Sequence, residues 1–162
     1  MTEVEKLEKK YIEERVRIMK KLMEVYGEEV LEIAAAEKSK IEAERVKEKY
    51  KEYIPVNMKD YYKYAFNEFE NLADLLGQEI LKQTEDELIV KVSSCQYCSN
   101  YSSIPGGRMI GKKMICNMDA VITEALNEAF IVERPSRMMD GDEYCIFKIL
   151  RKNSVCHENN EE

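Results

Sequence analysis

The chain has 162 residues, 44% of them hydrophobic and 35% charged, a length and composition that fit one globular domain with a heavily charged surface. Asp and Glu number 32 against 25 Lys and Arg, a net charge of −7. That acidity excludes a nucleic-acid-binding protein, which needs a basic face. The absence of a long apolar run excludes a membrane span. With no signal peptide ahead of the first helix, a reducing, cytoplasmic compartment is expected. The dominance of Lys and Glu over Gln and His leans thermophilic.

Val4, Leu7, Tyr11, Ile18, Leu22 and Val25 recur at helical spacing, widened by Ile12, Met19, Met23 and Tyr26, and Gly27 fits a helix C-cap. A second helix is expected from Glu28 to about Tyr53, with Pro55 stopping it. Its apolar positions are sparse and much of it is Glu, Lys and Arg. Asn57 suits the N-cap of a third helix with Asp60 in its first turn, and Tyr61, Tyr64, Ala65, Phe69, Leu72, Leu75 and Leu76 give that helix a wide apolar face, ended by Gly77.

Beyond Gly77 the texture changes. Glu87 to Ser93 (ELIVKVS) reads as a strand running to Cys95, and the Ser- and Gly-rich stretch from Ser99 to Gly111 reads as a loop. Cys116 to Ala129 reads as a helix, Phe130 to Met138 as a second strand, Asp140-Gly141 as a turn and Tyr144 to Leu150 as a third strand. Helices first, then strands with one helix inserted, predict an α+β protein: N-terminal helices packed on a small antiparallel sheet. The expected organisation is a helical hairpin over 1–54, an α+β domain over 55–152 and a polar tail over 153–162.

The cysteines carry the strongest chemical signal. All five lie after residue 94: Cys95 and Cys98 in a CxxC, then Cys116, Cys145 and Cys156. Thiolates bind zinc tetrahedrally, and a CxxC delivers two sulfurs from one turn, so Cys95, Cys98, Cys116 and Cys145 are expected to hold one zinc ion. Cys156 or the only histidine, His157, is an alternative fourth ligand. Competing readings are a redox CxxC, and small core residues at Cys116 and Cys145. Asp119, three residues after Cys116, reads first as a charge partner of a helix N-terminus, and Arg134 and Arg137 as surface pairs or as contacts for an anionic ligand. With one histidine, in the tail, a Ser-His or Cys-His engine is excluded, and any reaction runs on a metal, a thiol or carboxylates.

Ten tyrosines and nine methionines without a tryptophan suit an adaptable apolar pocket between the third helix and the sheet, with Tyr61, Tyr64, Phe69, Met109, Met114 and Phe147 as candidate walls for a small apolar or aromatic ligand. The long first helices carry more apolar stripe than three short strands can cover, which predicts a homodimer.

The segments EDELIVKVSSCQYC, ICNMDAVITEAL and MMDGDEYCIFKI together resemble the 4-vinyl reductase domain family and the related hydrolases of 2-amino-thiazoline-4-carboxylate. The resemblance rests on Cys95 after a strand, Cys116 with Asp119, the late Gly141, Asp142, Cys145 and Phe147, and a helix ending in Leu76-Gly77. It covers about residues 57 to 151 and is similar in character to a small archaeal, methanogen-type member. It implies the fold shared with haem-nitric-oxide-binding domains and a vesicle-tethering subunit, small-molecule binding or sensing, and zinc at the cysteines. The alternative it implies is a metal- or thiol-assisted hydrolase of a small heterocycle or amide, with Cys95, Cys116 and Asp119 as the residues concerned.

Overall fold

The computed structural model describes residues 3–68 and 75–152. Helix α1 spans Glu3–Tyr26 and α2 spans Glu29–Tyr50. Between them Gly27 takes φ +87°, which an L side chain rarely adopts, and its N–H closes on the Met23 carbonyl at 2.9 Å, as expected of a C-cap. The buried line of α1 is Ile12, Val16 and Met19, whereas Leu7, Tyr11, Ile18 and Val25 of the expected stripe are half exposed.

Helix α2 stops three residues before Tyr53, and Pro55 follows in a buried position. Asn57 caps α3 (Met58–Tyr62) as expected: its Oδ1 accepts from the Asp60 N–H at 2.9 Å. The helix then widens into a π-helical run over Lys63–Glu68. The expected continuation through Leu76 to Gly77 is corrected. Leu76 and Gly77 open a strand, β1 (Leu76–Gln83), while Phe69 and Leu72 lie outside the described residues.

Strand β2 (Glu87–Cys95) alternates as read: Leu88, Val90 and Val92 point into the core. The Ser- and Gly-rich stretch is not a loop. It forms two short helices, α4 (Gln96–Ser102) and α5 (Gly107–Met114), so Cys98 lies within a helix and not in a turn. Gly107 and Gly111 let them pack, since a Cβ on Gly111 would lie 2.6 Å from Cγ of Tyr101, a fully buried residue. Cys116 opens a single 3₁₀ turn ahead of α6 (Asp119–Leu126). Strand β3 (Phe130–Ser136), a turn with Gly141 at φ +106°, and β4 (Cys145–Arg151) complete the fold.

The sheet has four antiparallel strands in the order β1-β2-β4-β3, one more than the sequence suggests. β2 lies against β4 with Val92 opposite Cys145, and β3 against β4 with Phe130 opposite Arg151. Helices α3 and α6 and the end of α2 cover the sheet with one apolar core, which includes Val46, Tyr50, Met58, Val90, Leu126 and Ile149. A second core joins α1, the first half of α2, α4 and α5 through Ile12, Val16, Leu31, Tyr101 and Ile110. Cys95, at the end of β2, touches both.

Candidate functional site

Where the two cores meet there is a cavity of about 800 Å³. Strand alternation sends every second side chain to the same face, so β2 contributes Val92, β3 contributes Val132 and Arg134, and β4 contributes Cys145 and Phe147 to its floor. Tyr61, Ala65 and Phe66 form one wall; Cys116, Asp119 and Ile122 form another; Cys95 and Cys98 close the end. Leu7, Tyr11, Glu14 and Ile18 of α1, all exposed, also belong to its lining.

Of the expected pocket walls, Tyr61 and Phe147 line this cavity. Tyr64 packs on Tyr50 with ring centroids 4.8 Å apart, Met114 is buried in the helical core and Met109 is 44% exposed on α5. Phe69 lies outside the described residues.

All four expected metal ligands, Cys95, Cys98, Cys116 and Cys145, reach the cavity wall. Among the described residues no group of three or more Cys, His, Asp and Glu is disposed to hold an ion. The sulfurs are engaged separately. Cys95 Sγ accepts from the Cys98 N–H at 3.5 Å, Cys145 Sγ accepts from the Met138 N–H at 3.2 Å, and Cys98 Sγ lies 3.7 Å from Ser102 Oγ. Cys156 and His157 lie outside the described residues. Burial pushes the Cys95 thiol up to about 11 and the Cys116 thiol up to about 12, so both are neutral near pH 7.

The polar centre of the cavity is one the sequence reading underweighted. The Arg134 side chain is only 4% exposed and forms an ion pair with Asp119, the first residue of α6. Its guanidinium carbon lies 3.6 Å from the Phe147 ring centroid, in cation–π contact. Its Nε–H has no hydrogen-bond partner among the described residues. Burial lowers its pKa, with the neighbouring Cys145 and Cys116 opposing the shift. Strand period was the available signal: Val132 and Arg134 are two apart on β3 and share its inward face. Arg137, by contrast, reaches Asn117 Oδ1 at 3.3 Å, and Asp142 Oδ2 accepts from the Arg137 N–H at 2.7 Å, which makes Asp142 a turn cap.

A second charged group stands at the helical side of the cavity. Glu42, 6% exposed, accepts from Lys38 at 2.9 Å and from Arg45 at 3.0 Å. Arg15, also on the lining, donates to the Tyr101 hydroxyl at 2.9 Å. None of these was singled out from the sequence, because Glu, Lys and Arg at i, i+3 and i+4 on a helix read as a solvated face.

Two solved structures share the fold. One is a trafficking protein particle complex subunit 3 from Naegleria fowleri, crystallised covalently bound to palmitic acid, with a TM-score of 0.54 and 11% identity over 89% of this chain and 94% of that one. The other is the phenol-responsive sensory domain of the transcription activator PoxR with phenol, with a TM-score of 0.50 and 8% identity over 93% of this chain and 82% of that one. At such identities the likeness is one of fold, and it bears out the expected α+β architecture. No curated protein matches the chain in sequence. A family model does match, over residues 4–149, and it describes the second of the two families that the cysteine segments resemble. The chain belongs to the L-2-amino-thiazoline-4-carboxylic acid hydrolase family.

Proposed function

We propose that this protein binds a small, largely apolar molecule in the cavity between its two cores. The observation that carries the reading is the cavity itself, about 800 Å³, lined by Val92, Val132, Phe66, Phe147 and Ile122 around a single ion pair on the sheet side. Ligand sites are typically apolar clefts of roughly this size with few fixed polar groups. That one fold neighbour is a phenol-responsive domain and another was crystallised covalently bound to palmitic acid supports a small-molecule-binding reading of this fold. The test is a thermal-shift and calorimetric screen with phenol and small aromatic and aliphatic compounds. Compounds that fit raise Tm in the wild-type protein, and Ala65→Trp, which fills the cavity, removes that response with the circular dichroism unchanged. A screen in which no compound stabilises the fold rejects the reading.

A second reading, hydrolysis of a small heterocycle, is favoured by the family and by Cys116 and Asp119 standing together on the cavity wall. Its nucleophile would start as a neutral thiol, so a base must take the proton before attack. Incubation with L-2-amino-thiazoline-4-carboxylic acid tests it. Ring opening lost in both Cys116→Ser and Asp119→Asn supports it, and an intact ring rejects it.

Zinc at Cys95, Cys98, Cys116 and Cys145 rests on the sequence pattern and not on the geometry. Elemental analysis of protein purified without chelator decides it. A homodimer through α1 belongs to the same proposal and is argued below.

A further inference from the structure

We infer that the cavity's ligand is an uncharged carbonyl compound, a ketone or ester on an apolar skeleton, whose oxygen accepts the unpartnered N–H of Arg134. The inference rests on the ligand-binding reading above and adds to it the charge of the ligand and the atom that recognises it. It also parts that reading from the hydrolase one, whose substrate is an acid.

The Arg134 side chain is 4% exposed, and among the described residues its Nε–H has no acceptor. A buried donor left unpaired is unfavourable, so the site is improved by any acceptor that reaches it. Arg134 is the one cation that the sheet contributes to the described lining, and Val132, Phe147 and Ile122 of the same lining are apolar. The arrangement therefore suits an apolar body with one oxygen.

Charge decides which oxygen. Asp119 already supplies the counter-charge of Arg134, and its Oδ2, the oxygen of the pair, is itself buried and accepts no hydrogen bond. Water screens it poorly, so it opposes any second anion brought to the same guanidinium. The rest of the described lining carries as many acids as bases: Glu8, Glu14 and Glu42 against Arg15, Lys38 and Arg45. Burial keeps the Cys95 and Cys116 thiols protonated. A bound carboxylate would thus be buried in a site already neutral, without a counter-ion of its own, which is costly. A hydroxyl adds no charge but brings a donor that needs its own acceptor. Asp119 engages Nη1, on the Cδ side of the planar fork, whereas the Nε–H points to the opposite edge, so a hydroxyl seated on Nε does not also reach Oδ2. A carbonyl oxygen satisfies the donor and leaves nothing unpaired.

The test is calorimetric titration of the full chain with three molecules of one skeleton. These are 4-phenylbutan-2-one; butylbenzene, in which a methylene replaces the carbonyl; and 3-phenylpropanoate, in which an anionic oxygen replaces the methyl group. The wild type should bind the ketone about tenfold or more tightly than the acid. Arg134→Met combined with Asp119→Asn removes the donor together with its counter-charge, and should weaken the ketone about tenfold relative to butylbenzene. Asp119→Asn alone leaves the guanidinium without its anion, and should raise the acid about tenfold relative to the ketone. Acid bound as tightly as ketone by the wild type, a ketone-to-butylbenzene ratio unchanged in the double variant, or an acid-to-ketone ratio unchanged in Asp119→Asn overturns the inference, and butylbenzene that still binds leaves the ligand-binding reading standing. Should the double variant fail to fold, the other two comparisons decide. If none of the three binds the wild type, the inference falls and the wider screen decides the binding reading.

Discussion

The Tyr61 hydroxyl lies 2.8 Å from Thr123 Oγ1, joining α3 to α6 across the apolar core beside the cavity. Thr123 also donates to the Asp119 carbonyl at 2.7 Å, so its single hydrogen is used and Tyr61 is the donor in the pair. Both residues are buried, at 4% and 1% exposure. A phenol held this way must stay neutral, and burial pushes its pKa from 10.0 up to about 12.

The consequence is a pH-dependent stability. The folded value lies above the ordinary one, so the contribution of the neutral phenol is complete below pH 10 and is lost as the pH rises towards 12. Tyr61→Phe should cost about 1 kcal/mol at pH 7, the value of one hydrogen bond, and should flatten the alkaline fall. Urea melts of both proteins from pH 7 to pH 11.5 measure the difference. Parallel curves across that range would show that Tyr61 titrates as an ordinary phenol.

The glycines of the middle segment predict a second effect. Gly111 on α5 faces the Tyr101 ring, and an added Cβ would lie 2.6 Å from Cγ of that ring and 2.9 Å from Cε of Met139. Tyr101 is fully buried and its hydroxyl accepts from Arg15, so it has little room to yield. Gly111→Ala should destabilise by about 1–3 kcal/mol, although alanine is the better helix former. Gly27→Ala meets nothing within 4 Å and is strained only by its positive φ, so it costs about 1 kcal/mol. Denaturant melts that reverse this order would remove the packing argument.

The same glycines explain where the sequence was opaque. Gly107 and Gly111 look like loop punctuation, but their spacing of four is that of a helix face pressed against a neighbour. Strand β1 escaped notice because Gln78, Glu79, Lys82 and Gln83 suit an exposed edge, where charge discourages further pairing. By contrast, Leu88, Val90 and Val92 alternate strictly and were legible as a buried strand. That strand carries Cys95 to the site, and β4 brings Cys145 there from fifty residues away, so the gathering of the thiols was readable from strand ends. Whether four gathered thiols converge on one point depends on backbone angles at α4 and at the Cys116 turn, which residue types alone do not set.

The last prediction concerns α1. Tyr11, Ile18 and Val25 are 56%, 58% and 59% exposed and stand seven residues apart, with Leu7 at 51% on the same side. A seven-residue repeat keeps one apolar seam facing a partner helix. A second copy running antiparallel, with its two-fold axis near Ile18, would set Glu14 beside Lys21 of that copy and Tyr11 beside its Val25. Among the described residues Lys21 pairs with Glu24 at 3.0 Å in an exposed i,i+3 contact, which contributes little and exchanges readily. Two-fold contacts of this kind are the commonest in soluble oligomers. Leu7, Tyr11, Glu14 and Ile18 also belong to the cavity lining, so the same contact would cover that part of it. Light scattering at micromolar concentration should give twice the 19.0 kDa of one chain. Ile18→Glu should give the monomer with its fold intact. Glu14→Lys should weaken association by placing like charges together, and adding Lys21→Glu should restore it. A monomer mass for the wild type overturns the prediction, and a double variant that fails to recover the dimer overturns the antiparallel register.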